Sequence, residues 1–317
     1  MTASVLSSNT HSSNRQDTHL HQFIQSQTVG GVLNKVKPTH RELMDLPLTS
    51  TMEQAFDLLL AGDILSVPIY KLNEQGEKQY VAIVSALDLL KLLGSKVSLE
   101  TVQSNSDTLL MPLCDAISIT EPLSILKSSD SLVELLQLFS SAKVHRVLIQ
   151  QHNGAYVLLS QMDLIRFFQA SNHQLGSTIL DLPASEIKSN HATARLDYKC
   201  TAAEAFLTLA ANDQISALPV MDGNGDLITD ISAQDVRGLN RARWDSLMKP
   251  VVMYLKSSHG DLIPPSTCHD RFNLSQVMSA FVLRKAHRLW LVDYQTGELK
   301  GVITLTDIFT TFVSHSQ

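Results

Sequence analysis

A four-residue pattern, Ser or Thr followed three positions later by Asp, recurs along this chain and constrains its fold more than any other feature. Each copy separates one apolar run from the next, and the copies are Ser85–Asp88, Ser160–Asp163, Ser232–Asp235 and Thr304–Asp307. Successive aspartates lie 75, 72 and 72 positions apart. A single copy would carry no information, but four copies at this period indicate an internal repeat.

The residues around each copy predict the same order of secondary-structure elements. A strand-like hexad and a glycine-containing turn precede each copy, and the hexads begin at Ile64, Val144, Ile215 and Ala286. The apolar run after the turn completes a β-hairpin. A segment with one apolar face precedes each hexad, and an amphipathic helix is expected after each aspartate. With a short leading strand, the repeat is therefore βαββα.

The repeats account for most of the chain. They occupy residues 38–94, 112–170, 185–240 and 262–315. One repeat is too small to enclose a core, so we expect consecutive repeats to pair into modules at 38–170 and 185–315. The stretches 171–184 and 240–262 then connect repeats. Residues 1–28 are rich in small polar side chains and predict a disordered tail.

Composition narrows the possible functions. The 317 residues carry a net charge of −6, which argues against a nucleic-acid partner. Cys114, Cys200 and Cys268 form no CxxC or CxxH spacing, so neither a disulfide framework nor a metal site is expected. No signal peptide or membrane span is predicted, and we expect a cytoplasmic protein, also present in the nucleus, without a membrane partner. No catalytic motif occurs, so we expect neither catalytic residues nor a covalent cofactor.

The repeats resemble cystathionine-β-synthase (CBS) repeats, which pair into Bateman modules. The resemblance covers residues 38–315 and is carried most clearly by Ile215–Asp222 in repeat 3 and by His287–Asp293 and Gly301–Asp307 in repeat 4. Four tandem copies with nothing else attached are similar to the γ subunit of AMP-activated and sucrose-nonfermenting protein kinases. The Ser-x-x-Asp stretches of repeats 2 and 3 look more like the γ-like proteins of plants.

This resemblance implies both a fold and a function. The implied fold is α/β (α+β), with four tandem CBS repeats paired into two Bateman modules in a disc. The implied function is that of a non-catalytic energy sensor, which holds AMP, ADP or ATP between paired repeats. The implied protein partners are the catalytic and scaffold subunits of a kinase, and a homodimer of the whole chain is left open.

The aspartates of the four copies are candidates for binding the ribose of a nucleotide. A carboxylate at the start of a helix can accept hydrogen bonds from both ribose hydroxyls, and the helix N-terminus favours a nearby phosphate. The Ser or Thr hydroxyl adds a donor. The candidates are Ser85, Asp88, Ser160, Asp163, Ser232, Asp235, Thr304, Thr306 and Asp307. Alternatively these residues only cap helices, which is worth ~0.5–2 kcal/mol of stability. One residue can do both.

A His-Arg pair at the start of the hexad strand is the candidate phosphate ligand. It occurs in repeat 2 as His145 and Arg146, and in repeat 4 as His287 and Arg288. Arginine offers a permanently charged, forked donor, and histidine is partly charged near neutrality. Such alternation suits a central phosphate pocket shared by paired repeats, although ordinary polar strand ends would look the same. The matching positions of repeat 3 complete the candidate set with Ser216 and Ala217.

Two departures from the animal γ pattern alter the expected site map. Leu65 stands where a phosphate-binding arginine would resemble that family, so repeat 1 offers less positive charge. Asp163 stands where the animal subunit has a basic residue and an unused site. The sites of repeats 3 and 4 are therefore expected to be the most intact. A nucleotide-blind scaffold is the rival hypothesis, and a small enzyme has no motif in its favour.

Overall fold

Four separate three-stranded sheets form the framework of the protein. The structure, a computed structural model, describes residues 20–39, 42–187, 194–213 and 215–316. Its strands are β1 (Leu46–Pro47), β2 (Ser66–Leu72), β3 (Lys78–Ser85), β4 (Ile125–Lys127), β5 (Arg146–Gln150), β6 (Tyr156–Ser160), β7 (Leu196–Asp197), β8 (Ala217–Met221), β9 (Leu227–Ser232), β10 (Thr267–His269), β11 (Arg288–Val292) and β12 (Leu299–Thr304). In each sheet the first strand pairs in parallel with the second, which pairs antiparallel with the third. The mixed α/β fold and the four predicted hairpins are confirmed.

The helices follow the strands as the repeat predicts, with one exception in repeat 3. They are α1 at 20–26, α2 (Val29–Val36), α3 (Met52–Ala61), α4 (Ala86–Gly94), α5 (Leu132–Ser140), α6 (Gln161–Ala170), α7 (Ser177–Leu180), α8 (Ala202–Ala210), α9 (Val251–His259), α10 (Leu274–Arg284) and α11 (Leu305–His315). On the predicted apolar face of α3, Met52, Ala55, Phe56 and Leu59 are inaccessible to solvent, whereas Leu60, predicted on the same face, is 50% exposed. Burial of this face, more than helix propensity, holds such short helices in place.

The chain divides into two compact units that cross the predicted module boundaries. Unit 1 comprises Met1–Leu43, Ser124–Ala192 and Ser266–Gln317, and therefore contains repeats 2 and 4. Unit 2 comprises Met44–Leu123 and Thr193–Pro265, with repeats 1 and 3. The physical reason is that apolar helix faces from these non-consecutive repeats bury one another. Pairing of consecutive repeats into modules 38–170 and 185–315 stays a prediction.

Helices from repeats 2 and 4 share the core of unit 1. Phe168 of α6 stacks on Phe312 of α11 with ring centroids 4.5 Å apart, and Phe139 of α5 lies 5.9 Å from Phe309. All four rings are inaccessible to solvent. In unit 2, α4 and α8 approach so closely that a Cβ on Gly94 would lie 2.5 Å from the Cβ of Ala210.

The N-terminal segment belongs to this core, which corrects the predicted tail. Residues 20–28 include helix α1, and Leu20, Phe23 and Ile24 are buried in the cluster that also contains repeats 2 and 4. The prediction of a disordered tail is wrong for residues 20–28, because three apolar side chains on one helix face are enough to bury it. The other residues of that prediction, 1–19, lie outside the described residues.

In every repeat, a connecting segment forms an isolated β-bridge with the residue that precedes the first helix. The bridges pair Thr51 with Pro112, Thr28 with Ser131, Thr201 with Pro250 and Pro183 with Asn273. Each bridge has a backbone hydrogen bond in both directions, as from Met52 N to Met111 O (2.9 Å) and from Leu113 N to Ser50 O (2.8 Å). Segment 240–262 supplies one bridge and buries Trp244, so it is part of the core of unit 2.

Repeat 3 lacks the predicted second helix. Asp235 lies within one short 3-10 turn, Ala233–Val236, and the chain then reverses at Gly238, whose φ is +71°. The expected amphipathic helix is therefore wrong at this repeat, because Gly238 adopts a left-handed conformation that interrupts a right-handed helix. Helix α9 from the connecting segment packs there instead.

None of the helices in the described part of the chain is long and apolar enough to cross a membrane.

Candidate functional site

The four Ser/Thr–Asp pairs form the same capping box. In each pair the aspartate Oδ2 accepts hydrogen bonds from the backbone N–H and from the hydroxyl of the Ser or Thr, over 2.6–3.0 Å. All four repeats therefore contain the capping geometry, which in repeat 3 begins a 3-10 turn instead of an α-helix. Because Oδ2 is committed to the box, Oδ1 is the oxygen through which each aspartate could meet a ligand. The hydroxyl proton points at the carboxylate, so donation to a ligand, as predicted, would require the hydroxyl to rotate.

The antiparallel ladder brings the hexad strand against this box. The third hexad residue lies directly opposite the capping residue, and the pairs are Ser66 with Ser85, Arg146 with Ser160, Ala217 with Ser232 and Arg288 with Thr304. Directly opposed residues of an antiparallel pair project from the same face of the sheet. The structure therefore brings the predicted arginines of repeats 2 and 4 to the capping boxes of their own repeats.

The second hexad residue is also held close to the capping box, by a hydrogen bond to its backbone carbonyl oxygen. The carbonyl oxygens of Leu65, His145 and Ser216 accept hydrogen bonds from the first residue of the following helix or turn, over 3.0–3.1 Å. His145, Arg146, His287 and Arg288 are half-buried, Ser216 is exposed, and Ala217 is buried. Within each repeat the candidates thus lie together where a strand and a helix begin.

Repeat 2 holds its aspartate between two cations that the sequence analysis missed. Lys37 Nζ lies 3.0 Å from Asp163 Oδ2, and Arg166 Nη1 lies 3.2 Å from Asp163 Oδ1. Lys37 also donates to the carbonyl oxygen of Leu158 at 2.6 Å. Arg166 could have been found from its (i, i+3) spacing on a helix. Lys37 could not, because its contact depends on how the N-terminal segment packs.

Repeat 3 holds its aspartate through helix α9, another contact that sequence reasoning missed. His259 Nε2 lies 2.9 Å from Asp235 Oδ1, and the Tyr254 hydroxyl donates to the carbonyl oxygen of Asp235 at 2.9 Å. Asp235 is 7% exposed, so both contacts are shielded from bulk water. Burial raises the pKa of the Tyr254 phenol well above its ordinary value, which keeps it a hydrogen-bond donor.

The aspartates of repeats 1 and 4 differ from each other in burial. Asp88 is buried within its box, whereas Asp307 is half-buried at the start of α11. Thr306, the remaining candidate, accepts a 2.9 Å hydrogen bond from Nε2 of the buried Gln161, so it also joins α11 to α6. No group of three or more His, Cys, Asp or Glu side chains able to hold a metal ion occurs among the described residues.

The chain is similar in sequence to proteins named as kinase γ subunits. No family model matches the chain. It is 23% identical to the SNF1-related protein kinase regulatory subunit gamma-like PV42b of Arabidopsis thaliana, over 84% of this chain and 90% of that protein. It is 22% identical to the 5′-AMP-activated protein kinase subunit gamma of Saccharomyces cerevisiae, over 91% of each.

The fold comparison agrees with the sequence comparison. A putative archaeal homologue of the AMPK γ subunit, from Methanocaldococcus jannaschii, superposes with a TM-score of 0.66 at 16% identity, over 86% of this chain and 97% of that one. The predicted resemblance is thereby confirmed. This chain has the architecture of four tandem CBS repeats and is similar, over most of its length, to the γ-type regulatory subunits of AMP-activated and SNF1-related protein kinases.

Proposed function

We propose that this chain is a non-catalytic regulatory subunit that binds AMP, ADP or ATP and conveys the nucleotide level to a kinase-type partner. The observation that carries the proposal is the register of repeat 4. Arg288 lies directly opposite Thr304, and Thr304 is joined through its amide and hydroxyl to Asp307. A cation, a hydroxyl and a carboxylate therefore lie together at the start of a full-length helix.

Each of these groups suits one part of a nucleotide. Asp307 can accept hydrogen bonds from the ribose diol through Oδ1, since Oδ2 serves the cap. The Arg288 guanidinium can bind phosphate oxygens through its forked donors, and the N-terminus of α11 favours the same negative charge. The backbone N–H and C=O groups of β11 can form hydrogen bonds with the edge of an adenine ring. His287 adds a second donor beside Arg288.

A regulatory role requires more than binding. A nucleotide can change the activity of a partner only if it binds two states of the assembly with unequal affinity. Two relatives named as γ or γ-like subunits of kinases match 84% and 91% of this chain, which supports the catalytic and scaffold subunits of a kinase as the partner class.

Isothermal titration of the full chain with AMP, ADP, ATP and S-adenosylmethionine tests the proposal. We expect adenine nucleotides to bind and Asp307→Asn to weaken their binding about 10- to 100-fold, the range for losing hydrogen bonds to a charged acceptor. Asparagine keeps an oxygen for the cap. Glu204→Gln is the matched control, because Glu204 closes an equivalent capping box on α8 without being a candidate ligand. Its affinity should stay within about twofold of the wild-type value.

The alternative function is a scaffold that keeps the fold for assembly alone. It is favoured by a specific observation: Asp163 and Asp235 already have charged or polar partners within their own units. Absence of heat and of any thermal shift with all four ligands would contradict nucleotide binding and favour the scaffold. Equal loss of affinity in Asp307→Asn and Glu204→Gln would contradict the assignment of the site to Asp307.

A further inference from the structure

Helix α9 packs where the second helix of repeat 3 was expected, and it also contacts the aspartate of that repeat's capping box. Its last residue, His259, places Nε2 2.9 Å from Asp235 Oδ1. That oxygen is the one the capping box leaves over, because Oδ2 accepts from the amide and the hydroxyl of Ser232 at 2.7 and 2.8 Å. Both oxygens of the repeat 3 carboxylate are therefore engaged by groups of the chain itself.

We propose that His259 is an internal competitor for the ribose-binding oxygen of repeat 3 and thereby sets the affinity of this repeat for adenine nucleotides. This inference rests on the proposed function. The ribose diol donates hydrogen bonds, and so does the His259 ring where it meets Asp235 Oδ1. With the imidazole in contact, the Asp235 side chain is only 6% exposed, so the imidazole itself blocks the approach of a ribose to Oδ1. A ribose must therefore displace the imidazole before it can use Asp235.

The contact can open without unfolding the helix. His259 is the final residue of α9, and Gly260 follows it in a left-handed conformation with φ +85°. The side chain of His259 is about 30% exposed, whereas that of Asp235 is 6% exposed, so the imidazole can leave toward solvent. Tyr254 keeps α9 attached, because its hydroxyl bonds the backbone of Asp235 and not the carboxylate.

Replacement of His259 should therefore strengthen binding. In the full chain we expect His259→Ala to raise AMP affinity at repeat 3 about tenfold, the change expected when one hydrogen bond to a charged group no longer competes. Titration gives the affinity. Hydrogen exchange of peptides covering 228–240 assigns it to repeat 3, where AMP should protect the variant more than the wild type.

Two further variants make the test specific. His315→Ala is the matched control, since His315 also ends a helix, α11, but bonds the Thr311 carbonyl oxygen instead of a carboxylate. It should leave AMP affinity within about twofold of wild type. Adding Asp235→Asn to His259→Ala should abolish the gain, because the exposed acceptor is then no longer charged.

The outcomes separate the inference from the function on which it rests. If the wild type binds AMP and His259→Ala binds it equally or more weakly, the competition is overturned while nucleotide binding stands. Binding acquired only by His259→Ala would support the competition. If neither protein binds AMP, ADP or ATP, the proposed function fails and the inference fails with it. Equal gains in His259→Ala and His315→Ala would also overturn the inference.

Discussion

Repeats 3 and 4 contain the same capping box, yet the secondary structure that begins at the box differs between them. In repeat 4 the box opens α11, an eleven-residue helix whose Phe309 and Phe312 are inaccessible to solvent. In repeat 3 it opens a four-residue 3-10 turn, and α9 from the following connecting segment packs against that turn. The box is thus independent of the helix that normally follows it.

The comparison teaches what each part of the motif does. The box needs only local hydrogen bonds, and its two bonds to Oδ2 are within 0.2 Å of one another in the two repeats. The helix contributes burial of apolar area, which another segment can supply. Where α9 supplies it, Tyr254 and His259 come with it, and both contact Asp235.

The largest effect is expected from truncation of the apolar face of α11. Phe312→Ala removes a fully buried ring that stacks on Phe168 at 4.5 Å, and we expect it to lower the free energy of unfolding by about 3–5 kcal/mol. Urea denaturation measures this loss. Val313→Ala on the same helix is the control, because Val313 is only partly buried and should cost about 1 kcal/mol or less. Equal losses would show that repeat 4 does not depend on this face.

A smaller effect is expected where repeat 3 reverses direction. Gly238→Ala puts a side chain at φ +71° and places its Cβ 2.4 Å from Cδ2 of Leu60, so we expect a loss of about 1–3 kcal/mol in the free energy of unfolding. Gly76→Ala is matched in φ, at +79°, but has no neighbour within 4 Å of the added Cβ. Denaturation of both variants separates backbone strain from contact. A Gly238→Ala loss no larger than that of Gly76→Ala would show that the half-exposed Leu60 side chain moves aside at little cost.

Local patterns explain how far the fold could be predicted from the sequence. The hairpins and first helices depend on turn residues and on apolar spacing within about 20 positions, and both are visible in one repeat. The entry of residues 20–28 into the core and the reversal at Gly238 depend on contacts with distant segments. The grouping of repeat 1 with repeat 3 likewise depends on which helix faces match, as between Gly94 and Ala210, and not on chain order.

The candidate site also has one part that local sequence patterns predict and another that depends on contacts with distant segments. The capping boxes and the position of Arg288 opposite Thr304 follow from spacing, because hairpin register fixes which residues face each other. The partners that distinguish the repeats, Lys37 and His259, come from segments outside the repeated pattern. A repeat-based prediction treats the four aspartates as equivalent and therefore overlooks the feature that makes them different.

The smallest effect tests the second anchor of α9 and sharpens the contrast with repeat 4. Tyr254→Phe keeps the buried ring, including its edge contact with Phe206, but leaves the Asp235 carbonyl oxygen without this donor. We expect thermal and urea unfolding to show a loss of about 1–2 kcal/mol, the cost of an unpaired buried acceptor. Tyr294→Phe, on an exposed ring, should cost less than about 0.5 kcal/mol. If both variants cost the same, the Tyr254 hydroxyl does not stabilise the attachment of α9, and the contact of His259 is the one that links α9 to the Asp235 carboxylate.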